Sequence, residues 1–168
     1  MEDLTIKLVE TEAEMEAAMG VRFRVFVSEQ LVPVEEELDE IDSTATHAIA
    51  VHNGQVIATG RVFYRDEDSA ARIGRMAVDA DWRRNGIGGR LLEFLEKEAT
   101  KQGVTTYVLN AQVYVKDFYA ANGYEERGAE FLEAEIVHVL MRKDASYPVL
   151  RDPPARSSLP NISEKLQH

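Results

Sequence analysis

Residues 83–89 read Arg83-Arg84-Asn85-Gly86-Ile87-Gly88-Gly89, and these residue types suit a site for phosphate. Glycines at 86, 88 and 89 let the backbone curl and approach a ligand closely. Ile87, Leu91, Leu92, Leu95 and Ala99 then recur at helical spacing, so a helix opens inside the loop and runs to about Gln102. The N–H groups of a first helical turn lack partners within the helix. With the positive end of the helix dipole they point at one spot. Arg83 and Arg84 add two cations beside it. No Gly-Lys-Ser/Thr follows, so the loop is not a Walker phosphate loop. Gly86-Ile87-Gly88 continues into Gly89-Arg90-Leu91, so it is not a dinucleotide GxGxxG either.

The elements that must position this loop follow from pattern. Residues 4–9 (LTIKLV) alternate as a strand. Thr11 with Glu14 makes a capping box, and the apolar stripe behind it predicts a helix to about Gln30, stopped before Pro33. Residues 34–46 read as an acidic loop. Strands are expected over 47–52 and 55–64, joined at Asn53-Gly54, the strongest short hairpin signal. A turn at 66–69 leads to a strand over 70–79, immediately before the glycine loop. After the long helix, Gly103 is a stop signal. A strand over 105–111, a short helix over 116–122 and two closing strands, 124–127 and 136–142, complete the pattern. This order implies an α/β (α+β) chain with a mixed, mostly antiparallel central sheet and helices on both faces. One domain spans 1–143. Residues 144–168 hold four of the five prolines and little periodicity, so they read as a tail, flexible or docked.

The 168 residues carry 30 acids against 19 Lys and Arg, a net charge of −11. That balance argues against nucleic acid as a partner, because phosphate contacts need a basic footprint. No window is long and apolar enough for a membrane span, and the N-terminus has no signal-peptide pattern. With no cysteine, disulfides and thiolate chemistry are excluded, and a cytoplasmic location is expected. His47, His52 and His138 show no metal-ligand spacing, so no metal is expected. The excess acid is localised: residues 1–46 hold 13 acids and 3 bases, whereas residues 47–143 hold 14 and 13. An acidic segment of this kind is either a solvated surface or a mouth that draws cationic ligands such as amines.

Arg83-x-x-Gly86-x-Gly88, with the strand RMAV before it and the helix GRLLEFLEKEA after it, resembles the acyl-CoA pyrophosphate signature of the GNAT acetyltransferase superfamily. Leu109-Asn110-Ala111-Gln112 and Phe118-Tyr119-Ala120-Ala121-Asn122-Gly123-Tyr124 resemble that family's next strand and helix end. The resemblance covers about residues 4–143. Phe26-Val27-Ser28-Glu29-Gln30, the acids from Glu37 to Asp42, His47, Asn110–Gln112 and Phe131–Ala134 with His138 resemble the small bacterial ElaA/YjcF-type subgroup.

The resemblance implies an acetyl-CoA-dependent N-acetyltransferase. Its fold splays two parallel central strands, here those around Met76–Val78 and Val108–Ala111, and acyl-CoA lies in the V. The implied donor-binding set is Met76, Ala77, Val78, Arg83, Arg84, Asn85, Gly86, Ile87, Gly88, Gly89, Arg90, Asn110 and Tyr119. A primary amine of a small acceptor then attacks the thioester directly, and Tyr119 matches the tyrosine that protonates the leaving thiolate. Candidate bases are Glu29, His47 and His138, with Asp39 and Asp42 beside them. Glu29 stands near the end of an apolar helix, where burial raises a carboxyl pKa, and His47 opens a strand. In that fold the first 46 residues wall the acceptor side, so a cationic acceptor drawn by Glu29 and the Glu35–Asp42 cluster is expected. A homodimer is compatible with the fold. Arg24-Val25-Phe26 with Glu37–Asp42 also resembles the acyl-homoserine-lactone synthases, which carry out a different acyl transfer. A non-catalytic acyl-CoA sensor is the third reading.

Overall fold

The computed structural model describes residues 3–65 and 69–145. Seven strands form one sheet: β1 (Leu4–Leu8), β2 (Thr46–His52), β3 (Gln55–Tyr64), β4 (Ala71–Val78), β5 (Thr106–Gln112), β6 (Glu125–Glu133) and β7 (Ile136–Asp144). Their spatial order is β1-β2-β3-β4-β5-β7-β6. Every neighbouring pair is antiparallel except β4 and β5. Among the described residues four α-helices accompany the sheet: α1 (Glu12–Arg22), α2 (Val34–Glu37), α3 (Ile87–Lys101) and α4 (Lys116–Ala121). Most of the expected order is present.

Helix α3 explains the main core. Ile87, Leu91, Leu92, Leu95 and Ala99 are all buried, packed with Ala58, Val62 and Ile73 of β3 and β4 and Leu109 of β5. Full burial of a leucine, isoleucine or valine side chain among these stabilises by about 1.5–3 kcal/mol. A second, smaller cluster joins Val21 of α1 to Val25, Phe26, Val32 and Ala77. Asn53 and Gly54 turn the β2–β3 hairpin with φ of 48° and 77°, the left-handed pair that its tight turn needs.

Three local expectations change. The helix expected to reach Gln30 is α-helical only to Arg22, and Phe23–Glu29 forms a π-helix. The wider turn shifts the phase of the stripe: Val25 and Phe26 stay buried, while Glu29 and Gln30 line the central cleft. The acidic loop is folded, as α2 and a 3₁₀ turn at Glu40–Ser43. Strand β6 runs on to Glu133 with an irregularity between Arg127 and Phe131, and all its residues are exposed, so it carries little hydrophobic alternation to read. The expected turn at 66–69 falls largely on residues 66–68, and the expected tail on 146–168. Both lie outside the described residues. No described helix is long and apolar enough to cross a membrane.

Candidate active site

The site is built by two strands that part. β4 and β5 pair at Ala71–Tyr107 and Arg72–Val108 and nowhere beyond. The cause lies on β4. Thr59 of β3 faces Ala77 and Arg61 faces Gly74, so two residue steps on β3 match three on β4. The extra residue is a β-bulge, and Arg75 within it has φ 50°. A left-handed conformation costs a residue with a Cβ about 1–2 kcal/mol, so something must hold it. Gly60 opposite is part of the answer. A Cβ there would stand 2.5 Å from Met76 Sδ and 2.9 Å from Leu95 Cδ1, so only glycine lets the bulge settle.

The rest of the answer is an ion-pair network. Buried Arg22 (1% exposed) donates to Glu37 Oε1 at 2.7 Å and to Asp42 Oδ1 at 2.6 Å. Buried Arg61 (4% exposed) donates to Asp39 Oδ1 and Asp42 Oδ1, both at 2.7 Å. Arg75 reaches Asp39 Oδ2 and the carbonyl of Glu37, each at 3.3 Å, and its Nε is 3.3 Å from Glu37 Oε2. Burial pushes the Asp42 carboxyl up, but Arg22 and Arg61 outweigh it and hold it at about 2. Hydrogen bonding to Arg61 holds Asp39 below its ordinary value. Burial dominates at Glu37 and pushes that carboxyl up. Glu37, Asp39 and Asp42 neutralise three arginines and pin the bulge, which leaves Glu35, Glu36 and Glu40 as the acids of the expected cation-attracting cluster with no ion pair among the described residues.

Past the bulge, the facing edges of β4 and β5 have no strand partner, since β3 and β7 occupy the outer edges. Their free N–H and C=O groups can take an extended, amide-bearing ligand as an added strand. The gap opens into a cleft of about 1240 Å³. At one end stands α3. Its N-cap is Gly86 at φ 74° with no side-chain cap, and its first helical bond runs from Arg90 N to Gly86 O at 3.2 Å. The N–H groups of Ile87, Gly88 and Gly89 therefore lack helical partners, an arrangement that can receive an anion. Gly88 allows close packing: a Cβ there would meet the Phe118 ring at 3.3 Å.

The arginines of the loop differ in use. Arg83 donates to the carbonyl of Val78 at 3.0 Å and grips Glu29 through both terminal nitrogens, each 2.9 Å from a carboxylate oxygen. Arg84, with φ 66°, lines the cleft and makes no ion pair among the described residues. Asn85 bonds the carbonyls of Trp82 and Arg83, bracing the loop, and neither Asn85 nor Arg90 lines the cleft. Met76, Ala77, Val78 and Asn110 do line it.

Tyr119 of α4 faces the same cleft. It is half-buried, edge-on to Phe118 and Tyr124 with centroids 5.0 and 6.0 Å away. Burial, helped by Tyr114, pushes its phenol up to about 12, so it stays protonated at neutral pH. Tyr124 is committed elsewhere: its hydroxyl donates to buried Glu96 at 2.8 Å.

The base candidates separate by position. His47 is buried, with Nε2 2.9 Å from the Asp42 carbonyl, and like Asp42 it does not line the cleft. Glu29 lines the cleft but is held by Arg83. His138 (6% exposed) lines it from β7. Gln112 faces His138 directly across β5–β7, and Phe131 stacks on its ring with centroids 5.9 Å apart. Gln30 and Gln112 exchange side-chain amide bonds at 2.8 and 3.2 Å. Segments 26–30, 110–112 and 131–138, far apart in the chain, thus converge on one wall. Gly60, Gln30, Gln112 and Glu133 were not singled out as site residues by sequence, because their meaning comes from partners far along the chain.

The Acetyltransferase (GNAT) domain family matches residues 9–145. The uncharacterized N-acetyltransferase YjcF of Bacillus subtilis (strain 168) is 36% identical over 138 residues, covering 82% of this chain and 97% of that protein. Among solved structures, Escherichia coli ElaA superposes with a TM-score of 0.71 at 21% identity, covering 83% of this chain and 99% of that one. A GNAT family acetyltransferase from Elizabethkingia anophelis with acetyl-CoA bound superposes with a TM-score of 0.66 at 15% identity, covering 86% and 100%.

Proposed function

The chain belongs to the GNAT acetyltransferase family, and from that premise we propose that it moves an acetyl group from acetyl-CoA to a primary amine of a small acceptor by direct attack. The observation that carries this reading is one juxtaposition. The gap between β4 and β5 opens against the uncapped N-terminus of α3, and Tyr119 lines the same cleft. Few ligands need both a phosphate cradle and an unpaired strand edge. Acetyl-CoA, a pyrophosphate joined to an arm with two amides, needs both, and it is the donor bound to the Elizabethkingia neighbour.

In this reading the N–H groups of Ile87, Gly88 and Gly89, with Arg84, hold the pyrophosphate. The edge of Met76, Ala77 and Val78 pairs with the arm, with Asn110 on the opposite wall. A backbone N–H of that edge polarises the thioester carbonyl, as oxyanion donors do, an effect worth about 2.7–4 kcal/mol where one donor has been removed. Tyr119, kept protonated by burial, donates to the departing sulfur. His138 receives the proton the amine must lose before it attacks. Its Nδ1 lies 2.7 Å from the Ile136 carbonyl, which can only accept, so Nδ1 carries a proton and Nε2 is the nitrogen that can take one up.

Thiol release from acetyl-CoA across a panel of primary amines, with CoA affinity measured by calorimetry, tests the proposal. Amine-dependent thiol release supports it. CoA binding without release by any amine refutes the transfer and leaves a sensor. Reaction with long-chain acyl-CoA alone refutes acetyl as the group moved.

A further inference from the structure

We propose that Glu133 and His138 together form the receptor for the acceptor's ammonium group, so that Glu133 binds the amine that His138 deprotonates. This deepens the proposed transferase reading and rests on it. Five carboxylates line the cleft. Glu29 is gripped by Arg83, while Glu37 and Asp39 belong to the arginine network. Glu36 stands beside that network, where Arg75 bonds its carbonyl. Glu133 is different: its neighbour is His138, with Oε2 3.5 Å from Nε2, and its side chain is about half exposed to the cleft side of β6.

The tautomer makes this pair a receptor. The Ile136 carbonyl fixes the proton on Nδ1, so the neutral ring presents a lone pair at Nε2. Glu133 presents only acceptors. Two acceptors 3.5 Å apart are satisfied together by a donor that bonds both, either a shared proton or a primary ammonium with its three N–H groups. Phe131 stacked on the ring and Gln112 facing it across the strands hold the imidazole in place. Phe26, Val32, Ala134 and Ile136 give the surrounding wall an apolar stretch beside Gln30 and Gln112. The site therefore fits a primary ammonium on an apolar arm.

The proton balance closes. One ammonium proton passes to His138 Nε2, and the freed nitrogen lone pair forms the new C–N bond. The C–S bond breaks as Tyr119 gives its proton to sulfur. The second nitrogen proton leaves through solvent, which restores Tyr119, and His138 releases its proton at the end of the cycle.

The test is steady-state kinetics of the full chain with acetyl-CoA against hexylamine, benzylamine and spermidine, comparing wild type, Glu133→Gln and Glu133→Asp. Glu133→Gln is expected to raise the amine KM at least tenfold, with the acetyl-CoA KM unchanged and Glu133→Asp recovering part of the loss. The monoamines are expected to have the lower KM. An unchanged amine KM in Glu133→Gln, with wild type active, overturns this inference alone. A rise in both KM values points to a structural role and also overturns it. A wild type inactive toward every amine overturns the transferase reading and this one with it.

Discussion

Asp42→Asn removes the hinge of the arginine network and separates structure from substrate attraction. Asp42 accepts from Arg22 Nη1 at 2.6 Å, Arg22 Nη2 at 3.1 Å and Arg61 Nη1 at 2.7 Å. Its carboxyl is lowered from 3.8 to about 2. At 1.36 kcal/mol per pKa unit that difference contributes about 2.4 kcal/mol of stability at neutral pH, and partial solvent access lowers it to about 2. The folded-state value is depressed, so the stabilisation is fully present above the unfolded value of 3.8 and is lost as pH falls through about 2. About half of it is gone at pH 3. Asparagine also leaves two buried guanidinium groups with one fewer counter-charge, which brings the neutral-pH cost to about 3 kcal/mol. Urea unfolding of both proteins at pH 7 and pH 3 measures this. The gap between wild type and Asp42→Asn should be about 3 kcal/mol at pH 7 and clearly smaller at pH 3. An equal gap at both values refutes the charge linkage. Where the variant is folded, its amine KM should match wild type, since Asp42 does not line the cleft. A raised amine KM with acetyl-CoA unaffected would return the acidic segment to the role of cation attractor.

Other outcomes follow from the cleft. Tyr119→Phe should lower kcat at least tenfold with CoA affinity unchanged, and the wild type should show no alkaline loss from this group below about pH 11, because its phenol stays protonated until about 12. Gly86→Ala places a Cβ at φ 74°, so unfolding free energy should fall by about 1 kcal/mol and the CoA Kd should rise at least fivefold in calorimetry. Glu29→Gln should leave kcat within twofold of wild type, because Glu29 is committed to Arg83, and a hundredfold loss would reassign the base.

What could be read from the chain was what local physics decides. The stripe on α3, the Asn53-Gly54 turn and the glycines around Ile87 each carry their own signal within a few residues, and each stands where expected. The π-helix at Phe23–Glu29 did not show, because over seven residues its apolar spacing barely differs from that of an α-helix. The pairing of the acidic segment is hidden for a different reason. A charge count sees acids, but their partners, Arg22, Arg61 and Arg75, lie up to 38 residues away and on other elements. The bulge that opens the cleft depends in turn on Gly60 meeting Met76 and Leu95 across three elements. Separations of that kind belong to the tertiary fold, where a single glycine or arginine acquires its meaning from what faces it.

A crystal structure of the protein with CoA would show whether β4, β5 and the start of α3 hold the acyl donor. The pyrophosphate is expected on the N–H groups of Ile87, Gly88 and Gly89, and the arm paired along Met76–Val78 with its sulfur near Tyr119. CoA seated elsewhere, or the arm lying outside the gap between β4 and β5, would contradict that placement.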